Sequence, residues 1–282
     1  MNRSIATLFD SRATSDGDGV KIRRISTPRD MQTLDPFLLL DEIASDEAAD
    51  YIGGFPSHPH RGFETVTYMR KGAFTHKDHM GNEGHLKAGG VQWMTAGKGV
   101  IHSEMPEQNE GSLHGFQIWV NLPAKDKMQT ARYQGFEPNE IPEIAIEGGG
   151  IARIIAGSLL GKEGPVINVA TAPSYFDISL ETGNTIDIPT TEQHNSLIYL
   201  YKGRVTVEGQ EVTKGQLAQL TPGNQVTISA NTFTTDTEAA EFLFLSGEPI
   251  NEPIAHYGPF VMNTREEIDQ ALSDYRSGTL CD

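Results

Sequence analysis

Cysteine is almost missing: the 282 residues contain one, Cys281, next to the last position. A single thiol forms no internal disulfide, so the fold is not stapled and suits a reducing compartment. Cations are also scarce, with 22 Lys and Arg against 38 Asp and Glu and a net charge of −16. Such a surface repels phosphate backbones, which excludes nucleic-acid binding by bulk charge. No apolar run approaches the roughly 18 residues of a membrane helix. The opening stretch MNRSIATLFDSRATSDGDGV lacks the continuous apolar segment of a signal peptide. The expectation is a soluble, cytoplasmic protein with no membrane partner. Charged residues, at 21%, are too few for a coiled coil or an acidic disordered tail. The triplet Gly148 to Gly150 lacks the Lys-Ser/Thr of a phosphate loop, no Gly-x-Ser-x-Gly elbow occurs, and Cys281 has no catalytic setting.

Short apolar runs are abundant: ETVTYMRKG, GVQWMTAGKG, GFQIWVNLP, SLIYLYKGRVTVEG, QLAQLTPGNQVTIS and EFLFLSG. They are β-branched and aromatic, of strand length, with turn signals between them, the pattern of an all-β sandwich or barrel. Two helices are expected against this background. One is the acidic stretch Asp41 to Asp50. The other, near 264–276, opens on Thr264 with Glu267 three residues on, a capping box. Ile268, Leu272 and Tyr275 share one face of it and Gly278 stops it. The chain also reads as duplicated. YMRKG at Tyr68 to Gly72 returns as YLYKG at Tyr199 to Gly203, an offset of 131, and Gly89 to Gly97 returns as Gly215 to Gly223, an offset of 126. Two all-β units follow, 1–137 and 138–282.

Chemistry concentrates in the first unit. GGFPSHPHRGFETVTY places His58, His60 and Glu64 at alternate positions. Side chains two apart share a face of a strand, although Pro59 and Gly62 are points where the segment can bend. TAGKGVIHSEMP repeats the spacing with His102 and Glu104, directly after the turn glycines Gly97 and Gly99. An H-x-H and an H-x-E can meet across a barrel. Three nitrogens and one carboxylate oxygen suit Fe(II), Mn, Ni, Cu, Co or Zn, and octahedral coordination leaves two positions for substrate and dioxygen. A hydrogen-bonded histidine in a core or on a surface accounts for any one of these residues, less readily for all of them together. Glu64 competes with Glu104 for the carboxylate place. At the repeat offsets the four residues become Pro189, Thr191, Ile228 and Ala230, so the second unit is expected to hold no metal. His76, His79 and His85 fall in THKDHMGNEGH, read as a solvated hairpin tip with a second metal as the alternative. Trp93 and Trp119 line either a pocket or the core.

The segments HPHRGFETVTY, WMTAGKGVIHSEMP, GFQIWVNLP with ARYQ after it, and YGPFVMNTREEI together resemble the pirin family, in order from Phe37 to Tyr275. The resemblance implies a bicupin: two cupin-type β-barrel (jelly-roll) domains with a short C-terminal helix, the first holding metal and the second degenerate. Against the general cupin pattern, Glu64 fits the first motif, but Gly97 stands where the second motif has proline and Pro106 where it has asparagine. Pirins share that altered second motif. The resemblance therefore implies His58, His60, His102 and Glu104 as ligands, iron as the metal, and Glu64 as a neighbour or pocket wall. It implies quercetin 2,3-dioxygenase activity, opening a flavonol with O2 and releasing CO, with Glu104 as base. The alternative that the resemblance implies is a non-catalytic, metal- and redox-responsive module binding a protein partner, a transcriptional co-regulator or metabolic-enzyme regulator. A small-acid cupin chemistry is distinguished by a basic residue beside the metal, for which Arg61, Lys71 and Lys98 are the nearby candidates.

Overall fold

The β-branched and aromatic runs pair into sheets because an extended strand buries them on a pleated face. A computed structural model of the chain describes residues 1–25, 30–108, 111–231 and 239–282. It forms two compact units, one of Arg12–Pro138 with Ile250–Asp282 and one of Met1–Ser11 with Asn139–Pro249. A single cut between residues 137 and 138 therefore does not describe them. The first strand, Ile5–Asp10, pairs with Gln216–Leu220 and so joins the second repeat. The C-terminal helix belongs with the first repeat, burying Ile268 and Ala271 against Phe260, Met262 and Leu280.

The unit containing His58 has a seven-stranded antiparallel sheet in the order Arg132–Phe136, Val91–Thr95, Phe63–Lys71, Leu113–Asn121, Phe37–Ser45, Val20–Ile25, Arg12–Asp16. Its second sheet runs Phe55–His60, Val100–Pro106, Ala73–Asp78, Glu83–Lys87. Ile22, Ile43 and Met69 of the large sheet pack with Phe74 and Leu86 of the small one, the two-layer arrangement of a jelly roll. The other unit has the same strand order, with Ala240–Gly247 central in its large sheet and Thr185–Pro189, Gln225–Ser229, Arg204–Val207 and Gln210–Thr213 in its small one. The repeat is thus structural. Gly72 and Gly203 end corresponding strands at φ of 77° and 72°, and Gly89 and Gly215 turn at 85° and 83°, left-handed conformations that glycine adopts without strain.

The two helices fare differently. Thr264 Oγ1 accepts from the Glu267 amide and the Glu267 carboxylate accepts from the Thr264 amide, so Arg265–Ser277 has the expected capping box, with Gly278 closing it at φ 77°. Its buried face is Ile268 and Ala271, with Leu272 partly covered, while Tyr275 is exposed. The expected helix at Asp41 to Asp50 is not formed. Asp41 to Ser45 ends the strand Phe37–Ser45, and only Ala48–Asp50 makes a 3-10 turn. Pairing on both sides, Gln117 opposite Asp41 and Arg24 opposite Asp41, overrides the local helical composition.

Candidate metal centre

Antiparallel pairing of Phe55–His60 with Val100–Pro106 sets His58 directly opposite His102 and His60 opposite Val100. Facing residues on neighbouring antiparallel strands hold their Cβ atoms about 5 Å apart, so side chains from an H-x-H and the facing histidine converge. The ligand-capable nitrogens of His58, His60 and His102 all lie within 4.8 Å of one another. His58 Nε2 is 3.0 Å from His60 Nε2, while His58 Nδ1 sits 2.7 Å from the Pro56 carbonyl. His102 Nδ1 is 2.8 Å from His76 Nε2. That leaves His102 Nε2 buried without a hydrogen-bond partner among the described residues. A buried unpaired nitrogen is costly, and three imidazoles crowded nitrogen to nitrogen are what a divalent cation would reconcile. The donor set therefore fits a borderline metal.

The electrostatics favour ligation. Burial first, and neighbouring His58 second, push the His60 imidazole well below its ordinary 6.5. Burial and then His60, His58 and His76 do the same to His102. Both rings are neutral at pH 7, the state that binds metal. One consequence is measurable without metal. The unfolded chain takes up a proton at position 60 near pH 6.5 and the folded chain does not, so stability falls as pH drops below that value. Metal-free wild type should lose stability relative to His60→Gln by up to about 1.4 kcal/mol per pH unit below 6.5, read from denaturant melts. A pH-independent difference would return His60 to an ordinary pKa.

Glu104 is buried on the same strand as His102, but it is not part of the three-histidine cluster. Its Oε1 accepts from Thr67 Oγ1 at 2.7 Å and its Oε2 from Gln117 Nε2 at 2.7 Å. Thr67 and Gln117 are cross-strand neighbours on the inner face of the large sheet.

Glu64 does not share a face with His58 and His60. The strand ends at His60, Gly62 turns the chain at φ 89°, and Glu64 begins a strand of the other sheet. There Phe63 and Thr67 point toward the cluster and Glu64 points away, accepting from Thr95 Oγ1 at 2.6 Å. Its carboxyl is raised by that burial, and it is neither a neighbour of the ligands nor a pocket wall.

Gly97 has φ 53°, and a Cβ there would stand 2.1 Å from the Gln129 carbonyl. Proline, locked near −65°, cannot take this place, which accounts for the departure from the general cupin motif.

The three histidines of THKDHMGNEGH separate. His76 is buried against His102, His79 Nδ1 accepts from the Ile101 amide at 3.3 Å, and exposed His85 meets Glu107 at 2.6 Å. They form no second metal cluster among the described residues. Of the two tryptophans, Trp93 is core, while Trp119 packs 5.4 Å from His60, ring centre to ring centre. Trp119, His58 and His60 line a cavity of about 460 Å³ with Met31, Leu39 and Phe55. Arg61 turns away from it to Asp274 and the Leu280 carbonyl. Arg24 is the cation that lines it among the described residues. Sequence reading put His76 at a solvated hairpin tip, whereas it is buried on the strand Ala73–Asp78 beside His102, and it missed Thr67, Gln117 and Arg24. Gln117 carried a signal, as a polar residue two before Trp119 inside the apolar run GFQIWV.

The pirin family model matches residues 19–120, and the model of the pirin C-terminal cupin domain matches residues 175–281. The chain belongs to the pirin family. A Vibrio cholerae protein provisionally named quercetin 2,3-dioxygenase is 48% identical, covering 98% of this chain and 97% of its own length. The crystal structure of a quercetin 2,3-dioxygenase from Acinetobacter baumannii superposes with a TM-score of 0.91 at 35% identity, over 99% of each chain. A bacterial pirin of Escherichia coli, crystallised with nickel(II), has a TM-score of 0.64 at 20% identity, covering 86% of this chain and 99% of its own. That last likeness is one of fold. This pirin pairs one unit bearing histidines with a unit whose interior is apolar: opposite Ile228, the counterpart of His102, stands Ile186. No described helix is long and apolar enough to cross a membrane.

Proposed function

We propose that this pirin is a metal-dependent dioxygenase of the quercetin 2,3-dioxygenase type, opening a flavonol with O2 and releasing CO. The observation that carries the reading is three converging imidazoles at an apolar, aromatic-walled cavity of about 460 Å³. That volume lies inside the roughly 300–1,000 Å³ of pockets that bury drug-sized ligands. His58, His60 and His102 would hold one divalent ion, with Glu104 as the fourth ligand and Fe(II) as the metal. A reducing cytoplasm, which the lone thiol suits, would keep such iron ferrous. When bound, the metal supplies Lewis acidity, which lowers the pKa of a hydroxyl ligated to it. With Nδ1 protonated and donating to His76, His102 presents its Nε2 lone pair, the tautomer a ligand needs. Glu104 receives the 3-hydroxyl proton on a carboxylate oxygen. Thr67 and Gln117 hold that carboxylate by its two oxygens and fix its direction. Trp119, edge-on to His60 in the cavity wall, excludes water and flanks an aromatic substrate, with Phe63 packed against both rings.

The test is removal and return of metal. Chelated protein should not consume quercetin in air. Reloading with Fe(II), Mn, Co or Ni should restore loss of the flavonol band in air and not under argon, and Glu104→Gln should lower kcat at least about 100-fold, the usual worth of a positioned base. Stoichiometric metal without turnover would move the role to a regulatory module binding a protein partner.

A further inference from the structure

At one end the cavity is polar. Arg24 lies there between two carboxylates, its Nε donating to Asp41 Oδ1 at 2.8 Å and its Nη2 to Asp41 Oδ2 at 2.6 Å and to Asp16 Oδ2 at 2.5 Å. All three residues line the same cavity as His58 and His60. Strand register brings them there. Thr67 faces Gln117, Gln117 faces Asp41 and Asp41 faces Arg24, so a polar row crosses the inner face of the large sheet from the Glu104 carboxylate outward.

The fold does not require this row. In the other unit the corresponding residues, Ile198, Phe244, Phe176 and Ile154, face one another in the same order and are buried and apolar. With side chains 29% and 8% exposed, the Arg24–Asp41 pair is only partly withdrawn from water, and such an ion pair is no gain in stability over apolar packing, so the polar row in the cavity calls for a role in binding. Its charge indicates which. One guanidinium between two carboxylates leaves a net negative end, unfavourable to an acid. Asp41 is 6% exposed, and its two bonds to Arg24 leave lone pairs free to accept from a hydroxyl. Burial raises its carboxyl to about 6 even beside Arg24, so its charge is under-compensated and another donor would stabilise it.

We propose that Asp41, Arg24 and Asp16 form a recognition site for a phenolic hydroxyl on a ring away from the metal-chelating group, selecting neutral polyhydroxylated aromatics over carboxylate-bearing acids. The proposal rests on the flavonol reading and names its specificity-determining residues.

The test is equilibrium binding under argon, with and without Fe(II), of quercetin and of 3-hydroxyflavone, which carries the chelating hydroxyl alone. Wild type is expected to bind quercetin about tenfold tighter or more, the worth of one charge-assisted hydrogen bond. In the double variant Arg24→Met with Asp41→Leu the preference should fall to near one, and Asp16→Ala should lower it in the same direction. No preference in wild type, or an unchanged preference in the double variant, overturns the site. Circular dichroism establishes that the double variant folds; if it does not, the half-exposed Asp16→Ala decides, and an unchanged preference there overturns the site. Preference without turnover in air defeats the dioxygenase reading and leaves the site standing; turnover without preference does the reverse.

Discussion

Alanine at His60 or at His102 should lower metal affinity by more than about 100-fold, beyond the 10- to 100-fold lost when only the outer partner of a ligand imidazole is removed. Each substitution takes one of three nitrogens out of a cluster spanning 4.8 Å, which no fourth histidine joins among the described residues. His76 sits on the far nitrogen of His102, His79 on the Ile101 amide and His85 on Glu107. His76→Phe provides the graded comparison: it keeps all three cluster nitrogens but frees the His102 ring to turn, so affinity should fall by about 10- to 100-fold. Elemental analysis after dialysis against a competing chelator ranks the variants. An alanine variant that retains stoichiometric metal would remove that histidine from the ligand set.

Arg61→Leu should cost about 3 kcal/mol or more of stability, the usual result of breaking a buried charged pair from one side. Arg61 follows His60 directly, and its side chain is 4% exposed. It donates to the Lys98 carbonyl, to Asp274 at 2.6 Å and to the Leu280 carbonyl at 2.9 Å. Its own backbone is paired with Pro259 and Val261. The C-terminal segment therefore clamps the residue next to a ligand. The hydrogen bond from Arg61 holds the Asp274 carboxyl below its ordinary 3.8, so this contribution is complete above that pH and is lost as pH falls through the lower, folded value. Leucine leaves Asp274 and two carbonyls without their donor, and His60 without its fixed neighbour, so melts should shift and metal affinity should weaken together. Arg61→Lys keeps the charge but not the fork and should fall between. Lower stability with unchanged metal affinity would make the clamp purely structural.

How far the sequence foretold this site follows from geometry. His58, His60 and His102 were legible because alternate spacing along one strand is a local property. The repeat was legible through paired turn glycines such as Gly72 and Gly203. The helix at Arg265 was legible because a capping box is written in four consecutive residues. Glu64 misled because Gly62 turns the chain into the other sheet, which spacing alone does not reveal. The counterpart of His58 was sought at Pro189, whereas register places Ile186 opposite Ile228; a longer turn before Asn195 shifts the offset. His76, Gln117 and the Arg24–Asp41 pair depend on which distant strands lie side by side, and no local pattern carries that information. The exchanged ends of the chain were hidden for the same reason.

The most direct test is the ratio of carbon monoxide released to quercetin consumed by protein loaded to one Fe(II) per chain, in air, by headspace gas analysis. The account predicts one CO per flavonol, abolished by argon and by His102→Ala. Flavonol loss without CO, or no loss from fully loaded protein, would contradict it.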